Sequence, residues 1–236
     1  MKTNYSILLT MSVAMLINVS CKKKGCTDPM ATNYSEEAKK DDETCAYVPT
    51  ITLNGAATVS TELNEVYVDA GADATNNDGS SVTVTADIAA VNTSSTGTYT
   101  VTYTATNENG TATATRAVTV VIGQSAWTSN TWEITSDCGA TAFPLASPPT
   151  ISAGGSSALI FDSFFTAVGG TANATINGSI ITFSNQTINI TVGDVIFSGT
   201  GTMNASGTEF TVNYSYENTT PLIGDAGSCT AVYTKQ

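Results

Sequence analysis

Hydrophobic and polar residues alternate along most of the chain, which is the pattern of half-buried β-strands. The clearest run is Thr98–Ala105, which has apolar side chains on one face and threonines on the other. The apolar positions are Tyr99, Val101, Tyr103 and Ala105. Asn109-Gly110 follows as a hairpin-turn signal, and the alternation resumes over Thr111–Ile122. Together with an earlier run at Pro49–Gly55, these short strands and turns predict a β-sandwich.

A second series of candidate strands follows Ile122. They are Trp132–Ser136, Ala158–Phe161, Thr171–Ile176, Ile180–Phe183, Thr187–Val192, Val195–Thr202, Glu209–Tyr216 and Ser228–Tyr233. Asn177-Gly178 is a tight-turn signal between two of them. This order predicts an up-and-down antiparallel meander, which either closes as a barrel or folds over as a sandwich. The chain is therefore predicted to be all-β, with two successive β modules.

The N-terminal segment has the pattern of a bacterial signal peptide. Lys2 supplies a positive charge, and the apolar stretch 7–17 is shorter than the roughly 20 residues that span a bilayer. A small residue then precedes Cys21, which resembles a bacterial lipobox. The resemblance implies a lipoprotein signal peptide at 1–20, acylation of Cys21 and a basic tether at 21–24. Ordinary signal cleavage is the alternative.

Composition and charge narrow the class of protein. Charged residues make up only 12% of the chain, and the net charge is −12. The positive charge is concentrated before residue 41, so the remaining surface would repel phosphate groups. We therefore expect no nucleic-acid partner. The lipobox resemblance implies instead a cell-envelope protein attached to the outer membrane through its N-terminal lipid, on a face that the sequence leaves open.

An odd number of cysteines in a secreted chain needs an explanation. The five are Cys21, Cys26, Cys45, Cys138 and Cys229. Lipidation of Cys21 leaves four for disulfides. The simplest pairing is local, Cys26 with Cys45 and Cys138 with Cys229, while two other connectivities stay open. Each local disulfide would stabilise one module, by roughly 3 kcal/mol for the short loop and 4 to 5 kcal/mol for the long one.

Residues 25–47 are short, polar and rich in turn formers, so this segment needs its disulfide in order to fold. The segment resembles a small repeat of Bacteroidota surface proteins. The shared motifs are a Gly-Cys-Thr-Asp-Pro start, then Ala-x-Asn-Tyr, Asp-Asp and a closing Cys. Asp28, Asp41 and Asp42 could offer oxygen ligands to Ca²⁺. The alternative is that they are solvated turn residues and helix caps.

Residues 48–122 resemble the bacterial Ig-like domain first noted in a pesticidal crystal protein. The resemblance rests on the segments Ile51–Gly55, Tyr67–Ala72 and Gly97–Ala105, and on Ala114-Thr115-Arg116 before the last strand. It implies an Ig-like β-sandwich that acts as a spacer or an adhesive module.

Charged residues within this domain are candidates for a site. Asp69, Asp73 and Asp78 are close in sequence and are candidate cation ligands, with solvated loop carboxylates as the alternative. Arg116 has the same parity as the apolar residues Val118 and Val120. Because a lone charge is rarely buried, this parity predicts a position near a sheet edge or a carboxylate partner.

Residues 123–236 are similar to C-terminal β domains of Bacteroidota lipoproteins, some of them encoded near glycan-uptake systems. The similarity rests on the Ser-Asp-Cys-Gly start at Ser136, on the segment Phe197–Thr202 and on the C-terminal segment Cys229–Lys235. A disulfide between Cys138 and Cys229 would join the first strand of this module to its last, which favours closure.

The residues that could carry chemistry are few. Histidine is absent, which excludes a Ser-His-Asp or Cys-His arrangement. Carboxylates are scattered over predicted loops and nothing selects a glycosidase pair, so we do not expect an enzyme. Trp127 and Trp132 are candidate glycan contacts, because exposed aromatic rings stack on sugars, although packing is the alternative. Apart from Ca²⁺, no cofactor is expected.

Taken together, these features predict a cell-envelope lipoprotein that displays β modules. The modules would serve in adhesion or would bind a glycan or an envelope protein. The alternatives are a structural spacer without a small ligand and, third, a carboxylate-based glycan-active enzyme. Exposed aromatics around a groove would favour glycan binding, and a smooth polar surface would favour the spacer. Two facing carboxylates would favour the enzyme, and an apolar cavity would favour a lipid ligand.

Overall fold

A computed structural model of the chain describes residues 22–128, 131–138, 145–166, 168–219 and 224–236. The predicted signal peptide and the predicted lipidation site Cys21 lie outside these ranges. Within them the regular structure is almost entirely β, as predicted. The described ranges contain no helix with the length and hydropathy of a membrane span.

The small module at the N-terminus is held together by a disulfide and a few backbone bridges. Cys26 and Cys45 are bonded, with their Cα atoms 4.8 Å apart. Parallel bridges join Lys24 to Lys40 and Cys26 to Tyr34. With so little regular structure, the module depends on the disulfide and on side chains that bond to turns.

The next module, residues 48–122, is the Ig-like module, and it is a sandwich of two sheets. Its elements are β1 (Thr50–Leu53), β2 (Thr58–Glu62), β3 (Ala72–Thr75), β4 (Ser81–Val82), β5 (Val84–Ala86), a 3-10 helix (Ile88–Ala90), β6 (Gly97–Asn107) and β7 (Gly110–Val121). One sheet has the order β1-β3-β4 and the other β2-β7-β6-β5. Val101, Tyr103 and Val118 form the buried centre between them, on the face that the alternation predicted.

The C-terminal module is one antiparallel sheet of eight strands. A short helix, α1 (Gln124–Thr128), precedes β8 (Trp132–Ser136), β9 (Thr150–Gly155), β10 (Ala158–Asp162), β11 (Ala172–Asn177), β12 (Ile180–Ile190), β13 (Gly193–Met203), β14 (Glu209–Asn218) and β15 (Ala226–Lys235). The order is β8-β15-β14-β13-β12-β11-β10-β9, so β9 to β15 form the predicted meander. The first strand pairs with the last, next to the Cys138–Cys229 disulfide. Strands β8 and β9 are the two ends of this order.

Two elements of this sheet differ from the prediction. The candidate strands Ile180–Phe183 and Thr187–Val192 form a single strand, β12, with a register shift between Phe183 and Gln186. The Gln186 side chain bridges this irregularity with hydrogen bonds of 2.8 and 2.7 Å to the backbone of Asn173. Strand β9 was not predicted, because it is an exposed edge strand that ends in two glycines and lacks apolar alternation.

The core of the C-terminal module continues into the end of the Ig-like module. Leu63, Val120 and Ile122 belong to the same buried cluster as the aromatic residues inside the large sheet. Across this junction the backbone N–H of Thr96 donates to the carbonyl oxygen of Ala205 at 2.8 Å. The two modules are therefore joined by packing as well as by the chain.

Both tryptophans lie in this core. Trp127 on α1 and Trp132 on β8 are fully buried, and both rings pack edge-on against Phe210 at 5.1 and 4.8 Å. The Nε1–H of Trp132 donates to the carbonyl oxygen of Trp127 at 3.1 Å. The prediction that they contact a glycan is therefore wrong, because α1 and the start of β8 direct both rings inward.

Candidate binding face

The outer surface of the C-terminal module carries a polar face on three adjacent strands. In the middle of β13, β14 and β15, buried positions alternate with hydroxyl or amide side chains that point outward. Nearer the strand ends the outward positions include Ile196, Glu209, Glu217 and Val232. The polar face consists of Ser198, Thr200, Asn213, Ser215, Ser228 and Thr230.

Strand register places these six residues in two rows. The first row is Ser198, Ser215 and Ser228, and the second is Thr200, Asn213 and Thr230. The Ser215 and Ser228 hydroxyl oxygens are 3.0 Å apart, and the Thr230 hydroxyl donates to Asn213 Oδ1 at 3.0 Å. Neighbouring side chains in a row therefore repeat at the inter-strand spacing of about 4.8 Å.

A groove of about 450 Å³ opens over the two rows. Its rim carries Asp137, whose Oδ1 accepts from the backbone N–H of Thr230 at 2.6 Å. A second depression of about 410 Å³ continues along the same surface and shares Thr200 and Asn213 with the groove. The two depressions form one extended polar track across the sheet.

Two glycines allow the strands under the polar face to approach closely. A Cβ atom on Gly201 would lie 2.4 Å from the carbonyl oxygen of Thr211, and one on Gly199 would lie 2.9 Å from that of Asn213. Such contacts are shorter than van der Waals separation, so a side chain at either position would force β13 away from β14. The shape of the groove therefore depends on glycine at both positions.

The groove offers hydrogen-bonding groups with little charge. Asp137 is the one carboxylate among its described lining residues. Burial raises the pKa of Tyr214, whose hydroxyl lies 3.1 Å from Ser136 Oγ, so this phenol stays neutral at physiological pH. Tyr214 and Phe183 line the groove but are almost fully buried, which leaves no stacking surface among the described residues there. The arrangement suits a neutral ligand with many hydroxyl groups.

The predicted cation ligands of the Ig-like module do not form a site. The Asp69 side chain is buried, whereas Asp73 and Asp78 are exposed. Asp78 caps a turn by accepting from the backbone N–H of Ser80 at 2.9 Å. In the part of the chain that the structure describes, no group of three metal-binding side chains comes together. The predicted cation site at these three residues is therefore wrong.

Asp69 instead belongs to a buried network with Arg116. Its carboxylate accepts from Arg116, from the hydroxyls of Tyr67 and Tyr103 at 2.7 and 2.6 Å, and from the backbone N–H of Gly71 at 2.9 Å. Burial alone would raise the pKa of Asp69, but the hydrogen bonds from Tyr103, Tyr67 and Arg116 outweigh it and hold the pKa at about 2. The parity of Arg116 had left a carboxylate partner open, and the structure provides one.

The low pKa of Asp69 makes the stability of the protein depend on pH. An aspartate has a pKa near 3.8 when unfolded, so its ion pair stabilises the fold above about pH 4 and is lost as the pH falls toward 2. Urea denaturation should show that Asp69→Asn lowers the free energy of unfolding at neutral pH. This deficit against wild type should shrink by about 2 kcal/mol between pH 5 and 2. A deficit that is constant with pH would contradict the assignment, and Asp73→Asn is the matched exposed control.

The family comparison matches one part of the chain. Residues 51–120 match the family described as bacterial surface protein, Ig-like domain. The chain matches no curated protein.

Two solved structures are similar to the chain at low identity. A lipoprotein from Bacteroides thetaiotaomicron is 15% identical, with 79% of this chain and 99% of that chain covered and a TM-score of 0.29. The CBM51-2 and INT domains of ZmpB from Clostridium perfringens are 13% identical, with 76% and 42% covered and a TM-score of 0.22. The part of the chain that matches the bacterial surface Ig-like family, residues 51–120, folds as two packed sheets within an all-β chain.

Proposed function

We propose that the protein is a lipid-anchored protein of the bacterial cell envelope whose C-terminal module binds neutral glycans through the polar face. The observation that carries this proposal is the groove over two rows of hydrogen-bonded hydroxyl and amide side chains. Serine, threonine and asparagine both donate and accept hydrogen bonds, as sugar hydroxyls do. The net charge of −12 and Asp137 on the rim disfavour anionic ligands.

The arrangement of the modules supports display of this groove away from the membrane. At one end of the Ig-like module, the Asn107 side chain donates to the carbonyl oxygen of Tyr47 at 2.9 Å, where the chain leaves the small repeat. At the other end, Thr96 bonds to Ala205 of the C-terminal module. Strand β6, with 11 residues, runs between these ends and spans about 36 Å. An anchor at Cys21 would thus hold the groove on the far side of the Ig-like module.

The proposal is tested by glycan binding of the lipid-free chain, which carries Cys21→Ser and keeps all three modules. Immobilised neutral oligosaccharides are the probe. Asn213→Ala with Ser215→Ala removes hydrogen-bonding groups from both rows and should weaken binding on the order of tenfold. Thr113→Ala with Thr115→Ala, on the exposed face of β7, is the matched control and should bind like wild type. Equal binding by all three proteins, or no binding at millimolar glycan, would refute glycan binding through this face.

A purely structural role is the second candidate. It is favoured by the burial of both tryptophans and by the core that the Ig-like and C-terminal modules share, which together make a rigid spacer without an aromatic sugar platform. This role predicts no glycan binding by any of the variants above. We do not propose an enzymatic activity.

A further inference from the structure

Two lysine-rich segments that are separated in the sequence lie side by side at the beginning of the small repeat. Lys24 and Lys40 are partners in a parallel bridge, and the backbone N–H of Lys39 donates to the carbonyl oxygen of Lys23 at 2.8 Å. The lysine end is defined as Lys22, Lys23, Lys24, Lys39 and Lys40, and all five residues are exposed. The sequence places these positive charges in two separate groups, and folding brings them together in one patch.

The lysine end holds most of the exposed positive charge of the described chain. Residues 48–236 contain fourteen Asp and Glu but only two basic residues, Arg116 and Lys235. Arg116 is buried against Asp69, so Lys235 is the one exposed cation in the described part of that range. Residues 22–47 also contain six Asp and Glu, so the lysine end is a local basic patch on the small repeat rather than a basic module, and the β modules beyond it are acidic.

The carboxylates of the repeat leave most of the lysine end unpaired. Glu37 forms a salt bridge with Lys23. Asp28 accepts from the Tyr47 hydroxyl at 2.7 Å, and Asp42 accepts from the Thr44 hydroxyl at 2.6 Å. The hydrogen bonds from Thr44 lower the pKa of Asp42 and the charge of Lys24 adds to this effect, so this carboxylate lies near the patch without forming a salt bridge with it. In the described residues, the other lysines of the patch form no salt bridge.

We infer that the lysine end docks onto the anionic headgroups of the membrane surface and orients the molecule there. Lys22 directly follows the proposed lipid attachment at Cys21, so the lysine end is the folded surface nearest to the bilayer; in this respect the inference rests on the proposed function. Lysines near an anionic leaflet are attracted to it within about one Debye length of roughly 10 Å. The same surface repels the acidic modules, which turns the C-terminal module outward.

Vesicle binding of the lipid-free chain with Cys21→Ser tests the docking separately from the anchor. The probes are vesicles of phosphatidylcholine alone and vesicles with 30 mol% phosphatidylglycerol, at low and at physiological salt. We expect binding at least tenfold tighter to the anionic vesicles, with the difference reduced by salt. Lys24→Gln with Lys40→Gln should weaken that binding on the order of fivefold per lysine.

Lys235→Gln is the matched control, since it removes the exposed lysine of the C-terminal module, outside the lysine end, and should change binding less than twofold. The melting temperatures of all variants should agree, because none of these lysines is buried. Equal binding to both kinds of vesicle, or equal effects of the two sets of substitutions, would overturn the inference. If the lipid-free chain bound anionic vesicles but no glycan, only the proposed glycan binding would be contradicted.

Discussion

Replacing Arg116 with methionine is expected to destabilise the Ig-like domain by about 3 to 5 kcal/mol, because it leaves the charge of Asp69 buried without a partner. The Asp69 side chain is 3% exposed, so water cannot replace the guanidinium. Methionine fills much of the vacated volume, which separates the loss of charge from the loss of packing. The effect is a large fraction of the roughly 5 to 15 kcal/mol by which a typical domain is stable.

Arg116 also satisfies backbone groups of the loops that close the sandwich. Its Nε donates to the carbonyl oxygen of Ala56 at 3.0 Å, and another of its nitrogens donates to that of Gly71 at 3.2 Å. Loss of these bonds would leave carbonyl oxygens unsatisfied at the end of the domain where β1 and β3 meet. The ion pair therefore fixes the loops as well as neutralising a charge.

Urea denaturation of wild type, Arg116→Met, Asp69→Asn and the double variant measures this coupling. The double variant should lose less than the sum of the two single losses, because removing both partners leaves no buried charge. Lys235→Met is the control for removal of an exposed cation, and it should change the free energy of unfolding by under about 0.5 kcal/mol. An Arg116→Met loss below about 1 kcal/mol, or additive losses, would show that the pair is not a stabilising unit.

This network shows what the sequence could and could not predict. The parity of Arg116 with Val118 and Val120 placed its side chain toward the interior and left two outcomes, a sheet edge or a carboxylate partner. Which of these two outcomes holds depends on the loop before β3, which carries Asp69 into the sandwich. Loop packing leaves no periodic signal in the sequence, so the sequence could not decide between them. Sequence proximity groups Asp69, Asp73 and Asp78 as cation ligands, but only the Asp69 side chain is buried.

The polar face illustrates a similar limit. Alternation along β13, β14 and β15 predicts which residues point outward, because side chains in a strand have a period of two. The rows depend on strand register, which joins residues such as Thr200 and Thr230 that alternation within a single strand cannot relate. A position near the start of a strand does not show whether the side chains of Trp127 and Trp132 point inward or outward. The sequence pattern also did not predict α1, which carries Trp127. The face was thus missed as a site, while two core residues were proposed in its place.

The disulfide between Cys138 and Cys229 gives the second large expected effect. It closes a loop with a sequence separation of 91, and loop entropy assigns such a crosslink about 4 to 5 kcal/mol. Strand β8 is an edge strand whose described pairing is to β15, over Trp132 to Ser136. Replacing both cysteines with serine should therefore lower the free energy of unfolding of the C-terminal module by several kcal/mol, with β8 fraying first.

The matched control is the same double replacement at Cys26 and Cys45, whose separation of 19 predicts a smaller loss of about 3 kcal/mol confined to the small repeat. Hydrogen exchange resolves the two effects: amides of β8 and the adjoining part of β15 should lose protection only without the Cys138–Cys229 disulfide. Asp137, which bonds to Thr230 beside this disulfide, would then leave the groove rim, so glycan affinity should fall together with that protection. If the C-terminal module kept both its stability and its protection, closure of the first strand onto the last would be due to core packing alone.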